Sequence, residues 1–148
     1  HFLLAYDRGR AAAHARVVDF TVDEGFLPGG LSPAGTDWAV LLLEAPLRAP
    51  VLPLAGGTPA ERTPLMLGGY QADRPEQLLA DTGCRVLGAV RGAITHDCAG
   101  TRGASGGPLL TEVGGRWQVL GVASRVRRDM ALGEAASVAA ARRVLARQ

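Results

Sequence analysis

Lysine and asparagine are absent from this 148-residue sequence, and its charge is nearly balanced. All 16 basic residues are arginines, and 14 acidic residues leave a formal net charge of +2. A charge this small, spread along the chain, argues against nucleic acid as a partner, because phosphate recognition needs a concentrated basic surface. One short cluster, Arg125, Arg127 and Arg128, is predicted to face solvent.

Long apolar runs are also missing. No stretch approaches the roughly 18 apolar residues that a transmembrane helix needs, so we expect no membrane partner. Hydrophobic residues nevertheless make up 47% of the chain and charged residues only 20%, which suffices for a buried core. Because 20 glycines and nine prolines divide the sequence into short segments, we expect an all-β fold, as one domain or two small packed halves.

Cysteine is scarce, with only Cys84 and Cys98 present. Joined, they would close a loop of about 15 residues; a disulfide of that size contributes on the order of 3 kcal/mol and indicates an oxidising compartment. Two separate buried thiols are the alternative. A zinc site built from these cysteines and His96 lacks a fourth ligand, so no metal is expected.

Apolar segments between turn signals predict many strands and one helix. The unbroken run Trp38–Leu43 is typical of a strand buried on both faces. Gly114-Gly115 predicts a two-residue hairpin, and Val138–Ala146 predicts a C-terminal helix with Ser137 as N-cap. The remaining predicted strands are His1–Tyr6, Ala12–Val22, Thr63–Gly69, Cys84–Val90, Ser105–Val113 and Arg116–Arg125.

Ser105 is the only one of the four serines held between glycines, in the segment Gly103–Pro108 (GASGGP). A serine hydroxyl is a weak nucleophile unless its surroundings activate it. Glycines let a substrate carbonyl approach and leave backbone N–H groups able to point at a developing oxyanion. The pattern favours a nucleophilic serine over its alternative, a glycine-rich turn between two strands.

Asp37 precedes the apolar run Trp38–Leu43 directly. A carboxylate at the edge of a buried strand needs a partner, because an unpaired buried charge is costly. One interpretation is an aspartate that caps a turn. The other is the acid of a catalytic triad, which orients a histidine and stabilises its protonated form.

The same serine segment also matches the G-x-S-x-G nucleophile elbow of α/β-hydrolases. That design requires a helix after the serine, followed in the chain by an acid and a histidine. Here Pro108 and a predicted hairpin follow Ser105, and the three histidines, His1, His14 and His96, all precede it. The α/β-hydrolase interpretation is therefore rejected.

Acid before serine is the order of the chymotrypsin-type triad, and the chain resembles serine peptidases of the trypsin/chymotrypsin family, in particular their shortened bacterial trypsin-like branch. Thr36–Leu43 is similar to the strand around the family's catalytic aspartate. Asp97–Leu110 is similar to the nucleophile loop. Val119–Ser124 and Gly133–Val144 resemble the strand that lines the specificity pocket and the C-terminal helix.

This resemblance implies a chymotrypsin-like double six-stranded β-barrel, with the first barrel incomplete, and a C-terminal helix. Residues 1–50 would form the remainder of the first barrel, residues 60–136 the second barrel and residues 137–147 the helix. It implies Ser105 as nucleophile, Asp37 as orienting acid, and the N–H groups of Gly103 and Ser105 as the oxyanion hole. Cys84 and Cys98 do not reproduce the family's usual cysteine before the serine, so we infer a branch-specific disulfide.

The general-base histidine is not identified among the three histidines. In the family template it precedes the aspartate by roughly 45 residues, whereas His1 and His14 precede Asp37 by 36 and 23. His1 opens an apolar strand, His14 lies mid-strand as a surface or edge residue, and His96 follows the aspartate. We expect the base upstream of residue 1, in a missing N-terminal segment of the same protein, and we expect this chain alone to be inactive.

Departures from the trypsin pattern bear on specificity. Ala104 replaces the aspartate that pairs with a new N-terminus after zymogen cleavage, and Ala99 replaces the aspartate that binds basic side chains. Residues 124–126 (Ser124, Arg125, Val126) are expected to form one wall of the S1 pocket, with Ala99 in the same region. A small or apolar P1 residue is expected, and the alternative is an acidic one attracted by Arg102 or Arg125.

The sequence therefore predicts a secreted or periplasmic serine endopeptidase that acts on polypeptide substrates without a cofactor. A non-catalytic protease-like binding module and an esterase on the same fold are the alternatives. The residues upstream of His1 would distinguish the module from the enzyme, and a panel of peptide and ester substrates would distinguish the esterase.

Overall fold

The computed structural model describes residues 1–29, 32–127 and 129–146. Strands dominate the described chain, with one 3₁₀ helix at Ala34–Thr36 and one α-helix, α1, at Ala139–Leu145. The strands are β1 (Phe2–Leu4), β2 (Ala13–Ala15), β3 (Val17–Val22), β4 (Ala39–Leu43), β5 (Pro64–Gln71), β6 (Arg74–Val90), β7 (Ala93–His96), β8 (Pro108–Val113), β9 (Arg116–Arg127) and β10 (Leu132–Ser137). The all-β class with a C-terminal helix is confirmed.

Strands β5 to β10 form a closed antiparallel barrel with the strand order β10-β7-β6-β5-β8-β9. Its centre is filled by side chains from facing strands; Val86, Ile94 and Leu109 are the largest fully buried ones. The predicted hairpin joins β8 to β9, with Gly114 and Gly115 at φ values of 58° and 76°. Such left-handed values suit a two-residue type I′ turn, so the glycine pair fixes the register that follows Ser105.

The N-terminal strands form two separate ribbons, β1 with β2 and β3 with β4. The expected strand at Ala12–Val22 is therefore divided after Ala15. Strand β4 was expected to be buried on both faces, and this is wrong: Leu41 and Leu42 are 50% and 46% exposed. A two-stranded ribbon buries an apolar strand only where other elements pack on it, and within the described residues β3 is the one strand paired with β4.

Two other elements differ from expectation. The region expected to be a strand only around Cys84–Val90 is one 17-residue strand, β6, whose pairing passes from β5 to β7. Helix α1 starts one residue later than expected, with Val138 as its N-cap residue. The Ser137 hydroxyl still accepts a hydrogen bond from the Ala139 N–H at 3.3 Å. Within the described residues no helix has the length and apolarity to cross a bilayer.

Candidate active site

Ser105 lies in the loop between β7 and β8 and is exposed. Its hydroxyl donates a hydrogen bond to the backbone carbonyl of Ser124 on β9, with an Oγ–O distance of 3.0 Å. The predicted nucleophile is therefore reachable from solvent and held on one side by the barrel.

Backbone hydrogen bonds hold the serine loop in place. The N–H of Gly106 donates to Ala123 O at 2.7 Å, that of Gly107 to Ala104 O at 2.9 Å, and that of Ala72 to Arg102 O at 2.6 Å. Gly107 also lies so close to the Gly68 carbonyl that there is no room for a Cβ atom. These contacts anchor the loop on the strands on either side of it.

Gly103 adopts a conformation that only glycine takes readily, with φ at +95°. A Cβ at this position would lie 2.6 Å from the Tyr70 carbonyl oxygen and 3.0 Å from the Ala72 nitrogen. Within the described residues, neither the Gly103 N–H nor the Ser105 N–H donates to another group. Two free donors beside the serine hydroxyl are what an oxyanion hole requires.

Asp37 follows the 3₁₀ helix, and a backbone contact positions that helix. A Cβ at Gly35 would lie 2.5 Å from the Arg91 carbonyl oxygen and 2.7 Å from the Gly92 carbonyl carbon. Arg91 and Gly92 form the tight β6–β7 turn, with φ values of 50° and 78°. The absent side chain of Gly35 thus lets the segment that carries Asp37 pack directly on the barrel.

Ser124 connects the predicted acid to the predicted nucleophile. Its hydroxyl donates to Asp37 Oδ2 at 2.5 Å, and its carbonyl accepts from Ser105 Oγ at 3.0 Å. The sequence predicted Ser124 only as a wall of the S1 pocket. Since its two partners lie 87 and 19 residues away in the chain, no local sequence signal indicates this bridging role.

None of the three histidines bonds to this pair. His1 and His14 lie together on the β1–β2 ribbon, with ring centroids 5.7 Å apart. His96 lies on β7, where its Nδ1 accepts a hydrogen bond from the Cys98 N–H at 3.2 Å. All hydrogen bonds of the described residues to the Asp37 carboxylate or the Ser105 hydroxyl come from or go to Ser124.

A cavity beside Ser105, which we call the Ser105 cavity, contains much of the predicted S1 region. Ser124, Arg125 and Val126 line one side of it. Ala99 does not line it: its N–H donates to Asp81 Oδ2 at 2.6 Å, and it faces a neighbouring depression. The structure therefore separates Ala99 from Ser124 and Arg125, whereas Val126 lines both the cavity and the depression.

Arg125 is not a free positive charge at this cavity. Its Nε lies 2.9 Å from Glu134 Oε2, and its Nη2 donates to the Ser32 carbonyl at 2.8 Å. Of the cluster expected to face solvent, Arg127 is exposed, whereas Arg125 is only partly so, with 36% of its side chain accessible and its polar groups bound by two other segments. Arg102 is exposed and does not line the cavity, and Arg128 lies outside the described residues.

Cys84 and Cys98 form a disulfide, with their Cα atoms 4.7 Å apart. Both are buried, and they join β6 to the chain just after β7. Because both sulfurs are bonded, the alternatives of free thiols and of zinc ligation by these cysteines are excluded. Among the described residues, no group of three or more metal-ligating side chains is placed to hold an ion.

His96 is almost fully buried, with 2% of its surface exposed. Burial lowers the pKa of its imidazole, because a charged ring is poorly solvated there, and the carboxylates of Asp97 and Asp81 only partly oppose this effect. Asp97 itself has a lowered pKa, chiefly because it accepts a hydrogen bond from the Arg85 N–H at 2.7 Å.

The lowered pKa of His96 predicts a loss of stability on mild acidification. The unfolded chain binds a proton on this residue near about pH 6.5, whereas the folded chain does so only at lower pH. The free energy of unfolding should therefore fall as the pH drops below about 6.5 and level off below the folded pKa. Urea unfolding at several pH values between about 7.5 and 5 measures this free energy. His96→Gln should flatten this slope relative to the control His14→Gln; equal slopes in both variants would contradict the prediction.

Three solved structures with a similar fold are proteases. A Glu endopeptidase in complex with MPD matches with a TM-score of 0.73 and 17% identity, covering 91% of this chain and 64% of that chain. The secreted serine protease VesC from Vibrio cholerae matches with a TM-score of 0.73 and 18% identity, covering 93% of this chain and 35% of that chain. The active form of the Rv3671c protease from M. tuberculosis matches with a TM-score of 0.59 and 24% identity, covering 82% of this chain and 56% of that chain.

At sequence identities this low, the similarity establishes the fold only. It confirms the chymotrypsin-like fold predicted from the sequence. The chain spans less than two thirds of the length of each of these structures. A search of curated proteins finds no match. The sequence matches the trypsin-like peptidase domain over residues 2–122, which is most of its length. The chain therefore belongs to the trypsin-like peptidase family.

Proposed function

We propose that the chain is part of a serine endopeptidase domain that hydrolyses peptide bonds through an acyl-enzyme on Ser105. The observation that carries this proposal is the placement of Asp37 and Ser105 on the two polar groups of Ser124. Such an arrangement brings an acid and a nucleophile close enough for one imidazole to bridge them. The N–H groups of Gly103 and Ser105, which have no acceptor among the described residues, add the anion site that acyl transfer needs.

We infer that the general base is supplied by chain outside these 148 residues. No described histidine bonds to Asp37 or Ser105, and only one Asp37 carboxylate oxygen, Oδ2, accepts a hydrogen bond within the described chain. The exposed apolar side chains of β3 and β4, such as Phe20 at 64% and Leu41 at 50%, are suited to contact further strands of an N-terminal segment. We also propose that residues 1–50 are the remainder of a first barrel and that residues 60–136 form the second.

In the proposed reaction, the imidazole takes the Ser105 Oγ proton as the oxygen forms a bond to the substrate carbonyl carbon. The carbonyl π electrons move to its oxygen, which becomes an oxyanion bound by the Gly103 and Ser105 N–H groups. The imidazolium then returns the proton to the leaving amine as the C–N bond breaks. Water hydrolyses the resulting ester by the same proton transfers, and Asp37 stabilises the imidazolium throughout.

A fluorophosphonate probe tests the nucleophile. The full-length protein should be labelled on Ser105, and Ser105→Ala should abolish labelling. Residues 1–148 alone should react far more slowly, because the base is absent. Absence of labelling in the full-length protein would contradict the proposal and favour a binding module, whereas cleavage of esters but not of peptides would favour an esterase.

Gly103→Ala is expected to lower the turnover number by about 10²–10³-fold, the loss seen when one oxyanion donor is removed. The physical reason is the clash of the new Cβ with the Tyr70 carbonyl, which displaces the Gly103 N–H. Gly106→Ala is the matched control, since Gly106 has a similar φ of +85° but no atom within 4 Å of its added Cβ. Peptide hydrolysis by the full-length variants provides the measurement; equal losses in both would show that backbone strain, not the clash, is responsible.

The endopeptidase is proposed to act outside the cytoplasm, in a secreted or periplasmic setting. The Cys84–Cys98 disulfide supports this location, because such bonds persist in oxidising compartments.

A further inference from the structure

The first N–H of the proposed oxyanion hole, that of Gly103, lies inside a tight turn of the serine loop. This turn runs from Thr101 to Ala104, whose N–H donates to the Thr101 carbonyl at 3.2 Å. Its second residue, Arg102, has a negative φ, and its third residue, Gly103, has a φ of +95°. These values are those of a type II turn, which requires a positive φ at its third position.

The orientation of the peptide between Arg102 and Gly103 decides where the Gly103 N–H points. A trans peptide is planar, so its carbonyl and its N–H point in opposite directions. The carbonyl of this peptide accepts a hydrogen bond from the Ala72 N–H at 2.6 Å. The Gly103 N–H is therefore directed away from Ala72, and none of the described residues accepts a hydrogen bond from it.

The same peptide has a second orientation, that of a type I turn. The two turn types share the hydrogen bond between their ends and differ by a rotation of the central peptide through roughly 180°. After that rotation a carbonyl oxygen would stand where the N–H stood, and it would repel an oxyanion. Glycine is allowed in both types, so the bond from Ala72, and not Gly103 alone, selects the type II turn.

The second donor of the proposed oxyanion hole, the Ser105 N–H, is oriented within the loop itself. It belongs to the peptide between Ala104 and Ser105, whose carbonyl accepts from the Gly107 N–H at 2.9 Å. The direction of the Ser105 N–H thus depends on neighbouring residues, whereas that of the Gly103 N–H depends on a separate element, the β5–β6 hairpin.

Three successive residues of this hairpin contact the beginning of the first turn. Gln71 ends β5, and Ala72 and Asp73 form the turn to β6. The Gln71 Oε1 atom accepts from the Thr101 N–H at 3.1 Å and lies 3.0 Å from Thr101 Oγ1. Asp73 Oδ1 lies 3.2 Å from the same hydroxyl. Together with the bond from Ala72 to the Arg102 carbonyl, these contacts hold both residues that precede the glycine.

We propose that the β5–β6 hairpin positions the oxyanion hole, and that the Ala72 N–H and the Gln71 side chain are its positioning groups. The Ala72 N–H keeps the central peptide of the turn in the orientation that presents the Gly103 N–H. The Gln71 side chain fixes Thr101, where the turn begins. This inference rests on the proposed function, because it takes the Gly103 N–H as an oxyanion donor.

Ala72→Pro removes the N–H that the Arg102 carbonyl accepts from. Ala72 has a negative φ and is the first of the two hairpin turn residues, and Gln71 before it is extended, so proline fits the backbone there. In the full-length protein we expect kcat for peptide hydrolysis to fall by about 10²-fold. KM should change little, because an oxyanion donor acts in the transition state. A wild-type kcat would overturn the proposal.

Glu61→Pro is the matched control for this variant. Glu61 is the second residue of the turn from Ala60 to Thr63, it has a negative φ, and no described residue accepts a hydrogen bond from its N–H. Proline is favoured at that position of a turn. The control should therefore keep kcat within about 2-fold of wild type, and a loss equal to that of Ala72→Pro would overturn the proposal.

A double variant distinguishes positioning of the donor from a general disturbance of the loop. Ala72→Pro and Gly103→Ala both act on the Gly103 N–H, so the kcat of the double variant should be close to that of the less active single variant. Independent effects would instead multiply, and a multiplied loss would overturn the proposal.

Gln71→Met tests the side chain of the hairpin. It keeps the length of the side chain but removes the oxygen that accepts from the Thr101 N–H. We expect kcat to fall by about 3-fold to 10-fold with little change in KM, as for the loss of one neutral hydrogen bond. A wild-type kcat in this variant would overturn the role assigned to Gln71.

The orientation of the peptide can be measured without catalysis, which separates this inference from the proposed function. In a type II turn the Arg102 Hα lies close to the Gly103 amide proton, whereas in a type I turn the two amide protons lie close together. NOE spectra of the isotope-labelled full-length protein should show the first contact in the wild type and in Glu61→Pro, and the second contact in Ala72→Pro. That result would support the inference even if no peptide were hydrolysed. An unchanged first contact in Ala72→Pro would overturn it even if Ser105 were a working nucleophile.

Discussion

Asp37→Asn is expected to lower kcat of the full-length protein by about 10⁴-fold, with little change in folding. An asparagine retains an oxygen that can accept from the Ser124 hydroxyl, so the local geometry survives. It no longer stabilises an imidazolium, and it favours the wrong tautomer of the base. Loss of this size is what the serine–histidine–aspartate mechanism predicts for such a change.

The matched control for this variant is Asp129→Asn, which makes the same charge change on a side chain that is 71% exposed. It should leave kcat within about 2-fold of wild type, because surface pairs such as the one with Arg127 contribute little. Steady-state kinetics with circular dichroism of each variant provides the measurement. A kcat for Asp37→Asn close to that of the control would remove Asp37 from the mechanism.

Ser124→Ala should give an intermediate result. It removes the 2.5 Å hydrogen bond to Asp37 but leaves the backbone carbonyl that accepts from Ser105. Because the aspartate keeps its charge and loses only one partner that orients it, we expect kcat to fall by about 10-fold, in line with one charged hydrogen bond.

Loss of the Cys84–Cys98 bond is expected to lower the free energy of unfolding by about 3 kcal/mol. The cystine closes a loop with a sequence separation of 14, and a loop of that length gives this value in the chain-entropy description. For a chain of this size the melting temperature should fall by roughly 6–12 °C. Urea unfolding and thermal melting measure the two quantities.

Two forms of the protein distinguish the stability contributed by the cross-link from that contributed by the packing of the cysteine side chains. Cys84→Ala/Cys98→Ala removes the bond and also leaves a small void, because both side chains are buried. Wild-type protein treated with a reductant keeps both sulfurs and loses only the bond. The reduced protein should account for most of the loss, and equal urea midpoints for its oxidised and reduced forms would contradict the prediction.

The sequence predicted the parts of the fold and site that local chemistry determines. Gly114-Gly115 predicted the β8–β9 hairpin because glycine pairs favour its left-handed turn. Ser105 was conspicuous among its glycines, and Asp37 before its apolar strand. Both signals depend on a few neighbouring residues, so they can be read without knowledge of the tertiary structure.

The contacts that join distant segments could not be predicted in this way. The bridging role of Ser124 depends on β9 meeting a segment 87 residues earlier in the chain. His96 was rejected as the base on chain order alone, and its burial beside the Cys98 N–H and the Gly133 backbone arises only in the folded chain. Arg125 was expected in solvent because its partners, Glu134 and the Ser32 carbonyl, come together only in the folded chain.

The prediction that β4 is buried on both faces was wrong for a different reason. An unbroken apolar run indicates a strand that can be buried on both faces, but burial depends on which elements pack against it. Leu41 and Leu42 keep about half of their surface in contact with solvent in the described chain. The pattern thus predicted the strand correctly and its surroundings incorrectly.

The contact at Gly35 has a mechanical consequence. The backbone of the 3₁₀ helix packs directly on the backbone of the β6–β7 turn there, and a Cβ added to Gly35 would lie 2.5 Å from the Arg91 carbonyl oxygen. Side chains can change rotamer to absorb a displacement, but two backbones in contact cannot. A shift of the β6–β7 turn would therefore displace the segment that carries Asp37. Substitutions in that turn, remote from any reacting atom, should alter the alignment of acid and nucleophile.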